Sequence, residues 1–446
     1  MALSKREMAE LSRRLEEAGP SARQEILEQM VQVGEGAVPF LIQHLESSDY
    51  RLRGACAAAL GEIAREEAIP SLIELLADSS VNAQRSAAEA LTKVGGAAVD
   101  DLLDALMAKD QGARRWAAEA LGNIGDSSVD VDLVRRLTDP NFEVQRASIT
   151  ALGELRSKRA VEPLIQTLSS DNAELARAAA EALGKIRDPS AIRPLIDALS
   201  AVSDEVRSAA SHALVLIGKR ALKPLLGRIL DPDFRVRVQV ATILGEIGDD
   251  RVIEGLVAIL DDANENVVCR AAVSLGQIAG DRGVPDLARL VKSPRATIRC
   301  SAACGLAHAR CEAAVEPLAG LLKDRDWATR MTAARGLGLV GHVTAVRPLV
   351  RSLDDAEWSV RMHAAIALGR IGQRQFALPG LQRALGDQKD LVRKAVVEAL
   401  VEMHATEAAL AIRELLKDEN PAVVEAATEG LKALGLFHKA AVAGTK

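Results

Sequence analysis

The chain has 446 residues, 48% of them apolar, 26% charged and only 2% aromatic, with a net charge of −6. Ala and Leu supply most of the apolar share, which favours closely packed helices over a sheet or a bulky-cored globule. The charge balance offers no basic surplus for nucleic acid, the five scattered cysteines read as reduced thiols rather than a disulfide framework, and no apolar run reaches the ~18–20 residues of a membrane span.

The N-terminus, Met1 to Arg6, leads into a charged helix and not into the apolar stretch of a signal peptide. A soluble cytoplasmic protein is the expectation. Residues 4–34 read as a degenerate cap, with Gln29 standing where later units carry Leu.

From residue 37 a repeat sets in. The pattern AALGEIA ends a helix at Gly61 and recurs at Gly122, Gly153, Gly184, Gly245, Gly276, Gly338 and Gly369. Thr92, Val215, Ala307, Val401 and Lys432 hold the same place without Gly, and Met30 opens the series. Intervals are 30 to 32 residues, and the residue before this register position is Leu in all thirteen cases from Leu60 to Leu431. Val, Leu or Ile nine before it and Ala five before it complete one helical face. Twelve before it stand Asp49, Ser80, Asp110, Asn141, Asn172, Ser203, Asp233, Asn264, Asp326 and Asn420, side chains suited to cap a helix N-terminus.

Each unit also has a first helix that starts near a proline, as in Pro163-Leu164-Ile165, Pro194-Leu195-Ile196 and Pro348-Leu349-Val350. Two helices of about ten to thirteen residues fill the period. One such hairpin cannot bury its apolar face alone, so stacking is required. The predicted architecture is an all-α solenoid of about fourteen hairpins of ~31 residues. It runs as one domain over residues 1–437, with regular repeats at 37–405, a C-terminal repeat at 406–437 and a frayed tail at 438–446.

These units resemble HEAT repeats, of the short class named after the phycobilisome bilin lyases. The resemblance covers nearly the whole chain and implies a ladder in which Asp is followed six residues later by Arg. That spacing occurs at Asp231/Arg237, Asp324/Arg330, Asp355/Arg361 and Asp387/Arg393, but Asp262 meets Val268 and Asp418 meets Val424. Most proteins of this look are scaffolds or adaptors. One enzyme on the repeat, deoxyhypusine hydroxylase, resembles a set of His-Glu dipeptides around di-iron. None of the seven histidines here (His44, His212, His308, His342, His363, His404, His438) precedes Glu. Bilin lyases share the repeat type only, and HEAT-like DNA glycosylases need a basic, aromatic concave face. No nucleophile elbow, phosphate-binding loop or metalloprotease helix is present.

In solenoids of this type the second helices line the concave side. Residues seven before, three before and one after the register position form an i, i+4, i+8 stripe away from the core. Early in the chain it is charged: Arg85-Glu89-Lys93, Arg115-Glu119-Asn123, Arg146-Thr150-Glu154 and Arg177-Glu181-Lys185. The column Arg85, Arg115, Arg146, Arg177 reads as a solvated, ion-paired face or as a grip for acidic groups. From Ser208 to Arg370 the stripe turns apolar: Leu216, then Val238-Thr242, Cys269-Val273, Cys300-Cys304-His308, Met331-Arg335-Leu339 and Met362-Ile366-Arg370. Apolar side chains on a wet face mark a binding surface, and Met suits an adaptable one. Cys300, Cys304 and His308, with Cys269 one unit earlier, also have the types for a soft-metal site but are short of ligands. Tyr50, Phe142, Phe234, Trp327 and Trp358, eleven before the register, read as turn packing or as a separate aromatic edge.

The expected function is a non-enzymatic scaffold that binds a protein or peptide in the groove of residues 208–370. No catalytic residue, cofactor, metal, nucleic acid or membrane insertion is expected. The alternative is a bilin-lyase-like or other ligand-handling enzyme using the same groove.

Overall fold

The structure is a computed structural model that describes residues 5–436; the tail read at 438–446, with His438, lies outside them. Among the described residues there are 28 α-helices and no strand, paired into the solenoid hairpins. The chain divides into two compact units, Met1–Ala221 and Leu222–Lys446.

The first unit holds seven hairpins: α1 (Lys5–Glu17) and α2 (Pro20–Val33), α3 (Val38–Gln43) and α4 (Tyr50–Ile63), α5 (Ile69–Leu75) and α6 (Val81–Val94), α7 (Val99–Leu106) and α8 (Gln111–Ile124), α9 (Asp130–Arg135) and α10 (Phe142–Glu154), α11 (Val161–Leu168) and α12 (Ala173–Ile186), α13 (Ile192–Asp197) and α14 (Asp204–Ile217). The second holds seven more: α15 (Leu222–Leu226) and α16 (Phe234–Ile247), α17 (Ile253–Ala258) and α18 (Glu265–Ala279), α19 (Val284–Leu290) and α20 (Ala296–Ala309), α21 (Val315–Leu321) and α22 (Trp327–Val340), α23 (Val346–Ser352) and α24 (Trp358–Ile371), α25 (Arg374–Ala384) and α26 (Asp390–Glu402), α27 (Ala409–Glu414) and α28 (Pro421–Ala433).

Second helices run 13–15 residues, as the periodicity requires, but most first helices are shorter than expected, at 5–8 residues. Short 3₁₀ turns such as Pro189–Ala191 and Ala198–Ser200 take up the remainder. Of the expected N-caps, Asp49, Asp110, Asn141, Asn172, Ser203, Asp233, Asn264, Asp326 and Asn420 each accept a first-turn N–H. Ser80 occupies the cap position without such a bond. The Leu before the register position is at most 1% exposed in every repeat from Leu60 to Leu431.

The register glycines do not end helices. Gly61 lies inside α4, which closes on Ala64 in the left-handed region at φ 51. They let neighbouring second helices touch backbone to backbone. A Cβ at Gly122 would lie 2.6 Å from the Ala151 Cα, and one at Gly338 would lie 2.8 Å from the Ala367 Cα.

The cap also departs from its expected phase. Gln29 is exposed, while Met30 is fully buried with Ile26 and Leu27 beside it. The buried face of α2 is therefore rotated by about one residue, or ~100°, relative to the regular second helices.

A ladder of guanidinium forks joins the hairpins, in a different phase from the one the Asp-to-Arg spacing implies. Arg330 Nη1 donates to the backbone carbonyl of Asp324, not to its carboxylate. Its fork spans 25 residues to Asp355 in the next hairpin, with Nε–Oδ2 at 2.8 Å and Nη2–Oδ1 at 2.9 Å. The same fork joins Arg53 to Asp78, Arg114 to Asp139, Arg237 to Asp262, Arg299 to Asp324, Arg361 to Asp387 and Arg393 to Asp418. Asp262 and Asp418, which looked unpaired, are thus rungs. Where the next hairpin has Ala108 or Ser170 in place of Asp, the Arg is replaced by Gln84 or Gln145, which keeps only the carbonyl bond. Each carboxylate is nearly buried. The Arg393 fork holds Asp418 below the usual carboxylate range. At Asp139 burial pushes the other way, and the bonds from Arg114 and the Asn141 N–H prevail.

Candidate functional site

Adjacent second helices pack side by side within each unit, so their outward stripes form one surface per unit. In the second unit Val238, Thr242, Cys269, Val273, Cys300, Cys304, Met331, Met362 and Ile366 are half-buried, and His308, Arg335, Leu339 and Arg370 are exposed. None belongs to the buried core. Leu216 belongs to the first unit, where it is half-buried and lines a hollow of 700 Å³ with Arg177, Lys185 and His212 between α12 and α14.

The aromatic positions are not a separate edge. They stand one turn before each stripe on the same helical face, so that Trp327, Met331, Arg335 and Leu339 follow one another at four-residue intervals along α22. Trp358, Met362, Ile366 and Arg370 do the same along α24. Turn packing covers only part of Trp327, Phe142, Tyr50 and Phe234, which remain 40–48% exposed.

The thiols draw together across helices. Cys300 and Cys304 face each other one turn apart on α20, and the Cys300 Sγ lies 3.3 Å from the Thr332 hydroxyl of α22. Arg335 reaches over from α22 to Cys304, with Nη2 3.9 Å from Sγ. The proximity of Cys304 lowers Cys300 below the ordinary thiol value, against the cost of burial. Cys304 is pushed up because it keeps the shared proton. Cys269 is also raised, chiefly by burial. Among the described residues no three His, Cys, Asp or Glu side chains converge as a metal cage.

The charged stripe of the first unit is tied up internally. Arg146 pairs with Glu143 at 2.6 Å, Arg115 approaches the same carboxylate at 3.7 Å and stacks over the Trp116 ring, and Arg177 pairs with Glu181 on its own helix. Lys93 reaches Glu62 on the preceding second helix and Lys185 reaches Glu154. Arg85 is exposed on α6. This is the pattern of a solvated, cross-linked face, whose pairs contribute roughly 0–1 kcal/mol each.

Two hollows escaped the sequence reading. One, of 930 Å³, opens between α2 and α4, lined by Leu27, Val31, Ala55, Ala58 and Ala59, with Arg23 and Arg51 at its margin. It follows from the rotated face of α2, and the exposed Gln29 beside Met30 was its only trace in the sequence. The other, of 530 Å³, lies between α26 and α28, where Glu398, Glu402, Glu425 and Glu429 surround a floor of Val401 and Ala426. No described helix is long and apolar enough to cross a membrane.

A family model described as HEAT repeats matches seven stretches, residues 8–92, 69–138, 131–215, 220–307, 285–369, 315–400 and 377–443. The chain belongs to the HEAT-repeat family. No curated protein sequence matches it. Among solved structures it is similar to Kap95p, reported to bind RanGDP and induce its GTP-bound switch conformation, at 14% identity and a TM-score of 0.60, covering 96% of this chain and 70% of that one. It is similar to Kap121p bound to Ste12p at 14% identity and a TM-score of 0.61, covering 98% of this chain and 53% of that one. Importin β in ammonium sulfate gives 15% identity and a TM-score of 0.58, covering 96% and 67%. At such identities the likeness is one of fold, and this chain spans from about half to seven-tenths of those proteins' lengths.

Proposed function

We propose that this HEAT-repeat chain is a non-enzymatic, cytoplasmic scaffold or adaptor that binds a protein or peptide on the concave face formed by its second helices. The main contact lies on the second unit. The observation that carries the reading is the outward stripe of α22 and α24, where Trp327, Met331, Leu339, Trp358, Met362 and Ile366 stand outside the core. Apolar anchors ringed by charge are how interface centres are built, and Arg335, Arg370 and the Lys394-Glu398-Glu402 stripe supply that rim. The solvated first-unit stripe takes a secondary, electrostatic part. Structures of the same fold hold protein partners, such as Kap121p with Ste12p and Kap95 with Nup1, which supports a protein or peptide as the occupant.

The test is affinity capture from the native host with quantitative mass spectrometry. Met331→Glu and Met362→Glu should each lower partner recovery by about 10-fold while helicity and melting temperature stay close to the parent. Full recovery with intact folding would refute the groove. A stoichiometric chromophore in the purified protein would favour the ligand-handling enzyme instead.

A further inference from the structure

We propose that the hollow between α2 and α4 binds a small amphipathic monocarboxylate of the medium-chain fatty-acid class, its carboxylate between Arg23 and Arg51 and its tail along the two helices. The site is built wholly within the first unit and stands independently of the scaffold's protein partner. Between regular second helices a register glycine lets the backbones touch, and a Cβ at Gly61 of α4 would lie 2.7 Å from the Ala90 Cα of α6. α2 has Met30 at that position, turned into the core. The opening left between α2 and α4 measures 930 Å³, the size of a small-molecule site.

Two rows of side chains line the hollow. Arg23, Leu27 and Val31 follow one another at four-residue steps along α2, and Arg51, Ala55 and Ala59 do the same along α4. Four-residue steps keep each row on one helical face. Eight residues rise about 12 Å, which suits an extended medium-chain acid. Both rows begin with a guanidinium near the helix start and continue apolar. Val31 and Ala55 are half-buried and Ala58 is exposed, so the apolar floor is open to an incoming tail.

The charges at the two ends of the hollow give it a direction. Arg23 is only 20% exposed. Its Nη1 donates to the Asp49 carboxylate at 2.5 Å and its Nη2 to the Glu16 carbonyl at 3.5 Å, but the buried Nε has no partner. In the regular ladder the Arg grips with Nε and Nη2 a carboxylate two residues before the next N-cap, as Arg53 grips Asp78. Ser47 holds that place here, and the Arg23 fork is left half made. A buried donor without an acceptor is unfavourable, and a ligand carboxylate answers it. Arg51 is exposed, gives its Nε to the Tyr50 hydroxyl at 3.2 Å and forms no ion pair among the described residues. The acidic groups of the lining are Asp49, Glu28 and Glu62. Asp49 is answered by Arg23 and Glu62 by Lys93, while Glu28 accepts from Gln24. Glu28 and Glu62 stand in the second halves of α2 and α4, where a second carboxylate on the ligand would meet them. The site therefore selects a monocarboxylate over a dicarboxylate.

The experiment titrates octanoate into the full-length protein by isothermal calorimetry, beside octanol, acetate and octanedioate. Octanoate should saturate a single site and bind about 10-fold more tightly than octanol, the difference a charge-assisted bond makes. Acetate, which lacks the tail, and octanedioate, which brings a second charge to Glu28 and Glu62, should both bind more weakly than octanoate. Arg51→Gln, an exposed change outside the Arg23–Asp49 bond, should remove most of the preference for octanoate and leave octanol binding unchanged. Arg23→Lys keeps a cation for Asp49 but has no fork, and should lower octanoate affinity in the same selective way. Ala58→Phe fills the hollow from an exposed position and should abolish binding of both ligands, with helicity and melting temperature close to the parent. Hydrogen exchange should slow on α2 and α4 when octanoate is bound. No saturable octanoate binding, equal affinity for octanoate and octanol, a preference that survives both Arg51→Gln and Arg23→Lys, or binding that survives Ala58→Phe would overturn the proposal.

Discussion

Val401 of α26 stands directly against Gly430 of α28, where a Cβ on the glycine would lie 2.8 Å from the Val401 Cγ2. In most repeats the arrangement is reversed. The register residue is the glycine, as in Gly369, and it faces a residue with a side chain on the next helix, as in Ala399. Ala307 and Gly336 repeat the reversal at 3.1 Å. In these pairs one member lacks a side chain, and the glycine stands on either helix.

That complementarity yields a double-mutant cycle. Gly430→Ala alone should cost about 1–3 kcal/mol through overpacking, and Val401→Gly alone about 1–3 kcal/mol through the cavity and lost helix propensity. The pair Val401→Gly with Gly430→Ala restores the arrangement of the other repeats. It should be less destabilised than the two single costs added together, read by urea denaturation. Strict additivity would show that the two side chains do not share the space.

The ladder predicts a different signature. Asp355→Asn leaves the nearly buried Arg330 guanidinium without its counter-charge and should cost about 3–5 kcal/mol. Replacing both partners, Arg330→Met with Asp355→Leu, should cost much less. The chemical midpoint of unfolding measures both, and equal losses would mean that the fork contributes more than its desolvation costs.

Acid should reveal the same rungs. Their carboxylates titrate below the usual range in the folded state, so the stability they contribute is complete above the unfolded value of about 4. It is lost as pH falls through the lower folded values. Five described forks lie in the second unit and two in the first. Hydrogen exchange should therefore show protection falling more steeply with pH in α16–α28 than in α4–α14. A uniform loss would count against the ladder as the acid-sensitive element.

The Leu and Ala spacing made the hairpins legible, because a core that repeats every 31 residues writes itself into the sequence. Leu183, read as core, is fully buried. Phase was harder to read. Asp324 and Arg330 sit six apart in sequence, yet the side chains that bond are Arg299 with Asp324 and Arg330 with Asp355. Spacing within one unit cannot show a bond that crosses to the next. Likewise Gln29 and Met30 exchange roles in the cap, a rotation of α2 that the register spacing does not carry. The aromatic positions were assigned apart from the stripe although a four-residue step joins them. Turn packing was the simpler use for a side chain at a helix start, and only their exposure tells the two apart.

The last prediction uses that exposure. Trp327 is 48% exposed at the start of α22 and continues the line of Met331, Arg335 and Leu339. An aromatic there keeps a large apolar area in water without adding much to the core. Trp327→Ala should therefore change stability by about 1 kcal/mol or less, in keeping with a substitution outside the core. Its effect on partner capture should match that of Met331→Glu, since large aromatics dominate interface centres. Arg146→Glu provides the contrast. Its guanidinium already lies 2.6 Å from Glu143, so much of its charge is answered within the first unit. Its effect on capture should be weaker and should fade as salt is raised, whereas the loss from Trp327→Ala should persist. Isothermal titration or capture at two ionic strengths distinguishes them. A salt-sensitive loss at Trp327, or a salt-resistant one at Arg146, would move the main contact from the apolar stripe of the second unit to the charged stripe of the first.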